Sequence, residues 1–181
     1  MDGSGKSTQA RLLQKALTQQ HKTVCLRVHP ESDNFAGRKA RLFLLSKGKS
    51  AHFASSIFYM VDVIRSVLLY SWRRVDYVIF VRYLMGTAYL PKPLHILGYN
   101  FFAKIVPVSA NMYFLDVKPE EAAKRIQENR TEIEMFEGYE ALRKVRAKAL
   151  ALTRFNSWTV VDGGQPAEAI AYAIRTDLHK T

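Results

Sequence analysis

The sequence has a single cysteine, no long uninterrupted apolar run and few acidic residues. Cys25 is the only cysteine among 181 residues, which excludes an internal disulfide framework and fits a reducing, cytoplasmic environment. The most apolar stretch, residues 51–72, is interrupted by Asp62 and Arg65, so a buried helix explains it better than a membrane span. The length indicates one domain over residues 1–181.

Basic residues outnumber acidic residues, and the formal net charge is +11. This excess favours an anionic partner, either a nucleic acid or a small phosphorylated molecule. The densest basic group, residues 143–148, is interpreted as a solvated helix face in preference to a nucleic-acid surface, because the compact nucleic-acid-binding motifs are absent. A nucleic acid is therefore the less favoured of these two partners, and no membrane is expected.

Short apolar, β-branched or aromatic runs alternate with helical patterns along the chain. This alternation predicts an α/β fold with a central parallel sheet flanked by helices. The predicted strands are residues 23–28, 77–83, 112–117 and 159–163. The predicted helices are residues 6–20, 51–72, 118–130, 135–152 and 166–178.

In a parallel α/β sheet, ligands bind beyond the carboxyl ends of the strands. The residues at those ends are therefore the first candidates for a functional site. They are residues 27–31 after the first predicted strand, residues 81–83 after the second, and Asp116 and Asp162 after the last two.

Residues 2–8 read DGSGKST, the end of the phosphate-binding pattern G-x-x-x-x-G-K-[ST]. Glycines let the backbone approach an anion closely, and the amides of the following helix point at phosphates. A lysine adds charge there, and Ser7 is a candidate Mg²⁺ ligand. The alternative interpretation is a chance glycine-rich turn before a helix. The predicted nucleotide-phosphate site consists of Asp2, Gly3, Ser4, Gly5, Lys6, Ser7 and Thr8.

The first glycine of this pattern would fall one position before Met1, together with the apolar strand that normally carries it. The sequence therefore predicts a three-layer fold of the P-loop NTPase type whose first strand is missing from the chain. A shortened N-terminus is the hypothesis that accounts for this.

The order of several further motifs resembles that of the thymidylate kinases. The loop DGSGKSTQARLL has the acidic residue that these kinases place before the glycine. The segments RVHPESDNFAGRKARLFLL, FYMVDV, VRYLMGTAYL and LDVKPEEAAKRI then follow in the family's order, and EIEMFEGYEALRKVRAKAL and VVDG complete it. Each piece alone is weakly specific, whereas their order and spacing together are much stronger.

The resemblance implies a nucleoside-monophosphate kinase that transfers the ATP γ-phosphoryl group, with Mg²⁺, to dTMP or a related monophosphate. It implies a mobile lid near residues 127–138 and a homodimer. The catalytic residues that it implies are Lys6, Arg82 and Arg130. The acceptor-binding residues that it implies are Arg41, Tyr59, Arg82, Tyr83 and Tyr89.

Each of these assignments has a plainer alternative. Arg41 and Arg82 could form surface ion pairs, and the three tyrosines could be core residues. Arg130, and Arg125 as a second lid-side candidate, could belong to a solvated helix end.

Two positions depart from the family pattern. Val81 replaces the aspartate before Arg82, which family members use near the metal, and Val63 replaces an arginine that contacts the thymine ring. These departures motivate a second hypothesis, a kinase-derived nucleotide-binding regulatory protein with weak or no turnover. Phosphoryl transfer depends more on positioning and charge neutralisation than on a strong base, so the kinase remains the leading prediction.

Overall fold

A computed structural model describes residues 1–45, 49–129 and 138–178 of the chain. Helices and parallel strands alternate within these ranges. In chain order they are α1 (Lys6–Gln19), β1 (Val24–Val28), α2 (Phe35–Leu44), α3 (Lys49–Tyr70), β2 (Tyr77–Val81), a 3-10 helix (Leu84–Tyr89), α4 (Leu94–Ile105), β3 (Met112–Asp116), α5 (Pro119–Asn129), α6 (Tyr139–Leu152), β4 (Trp158–Asp162) and α7 (Ala167–Leu178).

Local chemistry accounts for several of these boundaries. Helix α2 begins after Asn34, whose side chain accepts a hydrogen bond of 2.9 Å from the backbone amide of Gly37, the arrangement of a typical N-cap. Helix α5 has Pro119, Glu120 and Glu121 in its first turn. Proline suits that position because it has no amide hydrogen that would need a partner there. The two carboxylates interact favourably with the positive end of the helix dipole.

The strands form two separate parallel pairs in the described part of the chain. Strand β1 pairs with β2, and β3 pairs with β4. The α/β class with parallel strands is therefore confirmed. The prediction that one central sheet unites the strands, and that its first strand is missing, stays a prediction.

The largest core cluster lies among α3, the 3-10 helix, α4, β3 and α6, with Val67, Leu84, Tyr99, Phe114 and Leu152 among its buried members. Helix α1 packs against β1, β2 and α7. The carboxyl ends of β1 and β2 lie side by side, since Val28 is the register partner of Val81. This places the segments after both strands at one edge of the sheet.

The structure adds two helices that the sequence analysis did not predict, α2 and α4. It also corrects the prediction that residues 51–72 form a buried helix, because Val61, Leu68 and Leu69 on α3 are exposed, Leu68 to 65%. No helix within the described ranges combines the length and apolar character needed to cross a membrane.

Candidate functional site

The glycine-rich loop enters α1 through two residues in the left-handed backbone region. Gly3 has φ +70° and Gly5, the residue that precedes the helix, has φ +79°. A Cβ added to Gly3 would lie 2.5 Å from the backbone oxygen of Ala122, so α5 packs directly against the loop. Glycine is thus required at position 3 for both its φ angle and its lack of a side chain.

Lys6, Ser7 and Thr8 form the first turn of α1, where the backbone amides lack helical partners and can bind an anion. The ammonium group of Lys6 donates to the carbonyl of Met1, lies 3.4 Å from Oγ of Ser4 and 3.8 Å from Oδ1 of Asp2. The Lys6 ammonium group therefore lies close to loop atoms and to the Asp2 carboxylate.

Asp2 is 3% exposed and connects the loop to the segment after β2. Its Oδ1 accepts a hydrogen bond from Nη2 of Arg82, and its Oδ2 accepts one of 2.6 Å from the hydroxyl of Tyr89. Burial raises the pKa of Asp2, but the positive charges of Arg82 and Lys6 outweigh burial and hold that pKa well below its usual range. The carboxylate is therefore ionised and paired with two cations.

Arg82 directly follows β2 and has φ +59°. This left-handed conformation costs a non-glycine residue about 1–2 kcal/mol, and such residues cluster at functional sites. The guanidinium donates to Asp2 and, through Nη1, to the carbonyl of His29 at 3.4 Å. The side chain of Arg82 thus contacts both Asp2 in the loop and His29 at the end of β1.

A cleft lies beside this arginine and holds about 670 Å³ of empty space, including the part that opens to solvent. Predicted residues Tyr59, Arg82, Tyr83 and Tyr89 all line it, together with Asp2. The structure therefore brings four of the five predicted acceptor residues to one cleft that borders the loop.

Tyr59 is packed closely within the cleft wall. A Cβ added to Gly86 would lie 2.3 Å from Cε1 of Tyr59, and the Tyr59 hydroxyl donates to the carbonyl of Tyr83 at 3.3 Å. Burial raises the pKa of Tyr59 above its ordinary value, so the ring is a neutral aromatic surface. This fixed position is compatible both with core packing and with stacking on a base.

One predicted arginine is not placed in the cleft, and another lies outside the described residues. Arg41 is exposed on α2 and is not among the residues that line the cleft, although Leu44, one turn later, is. Arg130 and most of the predicted lid, residues 130–137, lie outside the described residues. Arg125 pairs with Glu121 at 2.9 Å and donates to the carbonyl of Gly163 at 3.0 Å.

The two carboxylates at the ends of β3 and β4 have hydrogen-bond partners away from the loop. Both oxygens of Asp116 accept hydrogen bonds of 2.7 Å from the guanidinium of Arg146. Asp162 accepts from the backbone amide of Gly164 and the side chain of Gln165. Neither carboxylate is therefore placed as Asp2 is, against the lysine of the loop and the arginine after β2.

Val63 and Val81, where the sequence departs from the thymidylate kinase pattern, are both buried. Val63 is 0% exposed and belongs to the largest core cluster, and Val81 is 6% exposed at the end of β2. Neither is among the cleft-lining residues. At both positions, therefore, a buried apolar side chain stands where the thymidylate kinase pattern has a charged one.

The sequence analysis did not identify the buried contact between His29 and Asp62. This side chain is 0% exposed, and its Nδ1 lies 2.9 Å from Oδ2 of Asp62, which is also 0% exposed. A buried aspartate within an apolar helix requires a partner, so the isolated Asp62 in its apolar stretch was a usable signal. The identity of the partner was not readable, because His29 lies 33 positions away.

Comparisons with known proteins agree with the motif order. The family model described as "Thymidylate kinase" matches residues 1–174, a range that includes the loop, Arg82 and the cleft-lining residues. A protein of Pyrobaculum calidifontis named "Probable thymidylate kinase" is 31% identical over 180 residues, with 94% of this chain and 88% of that relative covered.

Proposed function

The chain belongs to the thymidylate kinase family, and from that premise we propose that it transfers the γ-phosphoryl group of ATP to thymidine monophosphate. Membership makes the chain an ATP-dependent phosphotransferase of the nucleoside-monophosphate kinase class. Thymidine monophosphate as acceptor and the roles of individual residues are the proposal. The alternative, a nucleotide-binding regulatory protein with weak or no turnover, is not favoured by either comparison.

The observation that carries the proposal is a carboxylate shared by the loop and the cleft. Asp2 pairs with Lys6 on the loop side and with Arg82 on the cleft side. A donor phosphate at the loop and an acceptor phosphate at Arg82 would therefore be neighbours. In-line phosphoryl transfer depends on this proximity and on positive charge around the moving group.

On the donor side, residues 2–8 would bind the ATP phosphates. The amides of the loop and of the first turn of α1 supply hydrogen bonds to phosphate oxygens. Lys6 would move from the Met1 carbonyl to the phosphates and, with Arg82, neutralise the charge that develops during transfer. Arg130 in the segment between α5 and α6 would add a further positive charge, and closure of that segment would exclude water.

We propose that a magnesium ion binds at this loop, with most of its ligands supplied by the nucleotide phosphates and water. Ser7 offers a hydroxyl in the first turn of α1, and the described residues contain no cluster of three or more His, Cys, Asp or Glu that could hold a metal. Mg²⁺ in phosphoryl-transfer sites keeps several waters and binds few protein oxygens besides the phosphates. We propose Ser7 as its protein ligand. When bound, the ion would neutralise charge on the ATP phosphates.

On the acceptor side, Arg82 would bind the monophosphate with its planar guanidinium. Arg41 is proposed as a second phosphate contact from α2, because Leu44 on the same helix lines the cleft. Tyr59 would stack on the base, and Tyr83 and Tyr89 would form the cleft walls. Since Val63 is buried in the core, base recognition would rely on the shape of the cleft.

We also propose an oligomeric state and a cellular location for this protein. We propose a homodimer that uses the exposed apolar side chains of α3, including Val61 and Leu68. A cytoplasmic location is proposed from the single cysteine.

The proposal is tested by measuring ADP release from ATP and Mg²⁺ with a panel of nucleoside monophosphates. Thymidine monophosphate should stimulate ADP release more than the other monophosphates. Lys6→Ala should abolish that stimulation, while Lys15→Ala, an exposed lysine later in the same helix, should keep it. Preference for another monophosphate would refute the proposed acceptor. Equal activity of the two variants would refute the role of Lys6.

A further inference from the structure

Asp62 is a buried carboxylate in the middle of α3 that holds the segment between β1 and α2. It accepts hydrogen bonds from Nδ1 of His29 at 2.9 Å, from the backbone amide of Glu31 at 2.9 Å and from the side-chain amide of Asn34 at 2.6 Å. Burial raises the pKa of Asp62, but these three hydrogen bonds outweigh burial and lower that pKa below its usual value. The charged form is thus the one that the surrounding donors require.

The segment held in this way, residues 29–34, borders the acceptor cleft. Pro30 lines the cleft, and Asn34 starts α2 by accepting from Gly37. A Cβ on Gly37 would lie 1.9 Å from the backbone oxygen of Glu31, so α2 rests directly on this segment. The position of one cleft wall therefore depends on three donors that all meet at Asp62.

The same segment holds Arg82 from two sides. The backbone amide of His29 donates to the carbonyl of Val81 at 3.2 Å, directly before Arg82. The carbonyl of His29 in turn accepts from Nη1 of Arg82 at 3.4 Å. The His29 ring is stacked on Phe80, with 6.1 Å between ring centroids. His29 thus fixes both the backbone and the guanidinium of an arginine whose φ angle is unfavourable.

We propose that Asp62 and His29 form a positioning pair that orients Arg82 for the acceptor phosphate. The inference rests on the proposed role of Arg82. Neither residue is placed at the reacting atoms. Asp62 orients His29 by accepting from Nδ1, and His29 orients Arg82 through its main chain. Loss of the Asp62 charge would release residues 29–34 and so misplace Arg82. The ATP loop would keep its conformation, because it packs against α5 at Gly3 and because Asp2 keeps Lys6 and Tyr89 as partners.

The first test compares Asp62→Asn with Asp76→Asn. Asp76 is the control because it is an exposed aspartate that also accepts from a backbone amide and a side chain, those of Thr23, both at 2.7 Å, at the opposite end of β1 and β2. In Asp62→Asn, the side-chain NH₂ group would face the groups that donate hydrogen bonds to Asp62 in the wild type. Because hydrogen bonds to a charged group are lost, the acceptor KM should rise by roughly tenfold or more. The ATP KM should stay within about twofold, and Asp76→Asn should change neither KM.

A second pair of variants keeps the test decisive if Asp62→Asn does not fold. In His29→Asn, the side-chain amide can take the place of Nδ1 and donate to Asp62, whereas His29→Leu cannot. The acceptor KM should be higher in His29→Leu than in His29→Asn. In the wild type, ¹⁵N chemical shifts of the His29 ring should show a protonated Nδ1, and this signature should be lost in Asp62→Asn.

The outcomes separate this inference from the proposed function. If Arg82→Ala raises the acceptor KM but Asp62→Asn and His29→Leu do not, the positioning role is wrong and the proposed function stands. If Asp62→Asn raises both KM values equally, the pair is merely structural and the inference is also wrong. If Arg82→Ala leaves the acceptor KM unchanged, the proposed role of Arg82 itself fails.

Discussion

Gly3→Ala should destabilise the protein more than Gly5→Ala, although both glycines have positive φ. The left-handed conformation costs alanine about 1–2 kcal/mol at either position. At Gly5 nothing lies within 4 Å of the added Cβ, whereas at Gly3 the Cβ would lie 2.5 Å from the backbone oxygen of Ala122. That oxygen belongs to α5 and cannot rotate away as a side chain could. Forcing a methyl group into packed backbone adds about 1–3 kcal/mol.

The difference is measured by thermal unfolding followed by circular dichroism, without nucleotide. For a domain of this size, 1 kcal/mol corresponds to about 2–4 °C in Tm. Gly5→Ala should therefore lower Tm by roughly 2–8 °C, and Gly3→Ala by roughly 2–12 °C more. The effect of alanine on the unfolded chain is the same in both variants and cancels in the difference. Equal Tm values would refute the close approach of α5 to the loop.

Two further predictions concern the cleft and the buried carboxylates. Gly86→Ala should displace the Tyr59 ring, which lies 2.3 Å from the added Cβ, and so raise the acceptor KM without changing the ATP KM. Lys15→Ala, at an exposed position of α1, is its control in the same ADP-release assay. Asp2 and Asp62 have lowered pKa values in the folded protein. As the pH falls, the unfolded chain therefore binds more protons than the folded protein does. The free energy of unfolding should therefore decrease below about pH 4, and less steeply in Asp62→Asn, as urea unfolding at a series of pH values would detect.

Much of the site was predictable because it lies at positions that local pattern identifies. The loop is a contiguous motif, and Arg82 follows a strand whose apolar, β-branched and aromatic composition is clear from the sequence. Tyr59, Tyr83 and Tyr89 were identified by motif order, and the structure places all three in one cleft. Residues near the ends of parallel strands converge in space, which is why short motifs far apart in the chain could be assigned to one site.

The remaining features depend on tertiary contacts that no local pattern encodes. The pairing of Asp116 with Arg146 joins residues 30 positions apart. The positive φ of Arg82 is maintained by Asp2 and His29, which lie 80 and 53 positions away. Helix α4 was missed because its apolar residues are distributed around the helix, with Tyr99 buried and Phe101 exposed, and so show no clear stripe.

Helix α1 has a thermodynamic role beyond its contribution to the loop. It contacts β1, β2 and α7, and Gln9 donates to the carbonyl of Ala167 at 2.9 Å. A ligand held at its first turn favours, by mass action, every state in which that helix is docked. Amide hydrogen exchange should therefore slow in both strand pairs when nucleotide is added, although the nucleotide would touch neither β1 nor β4.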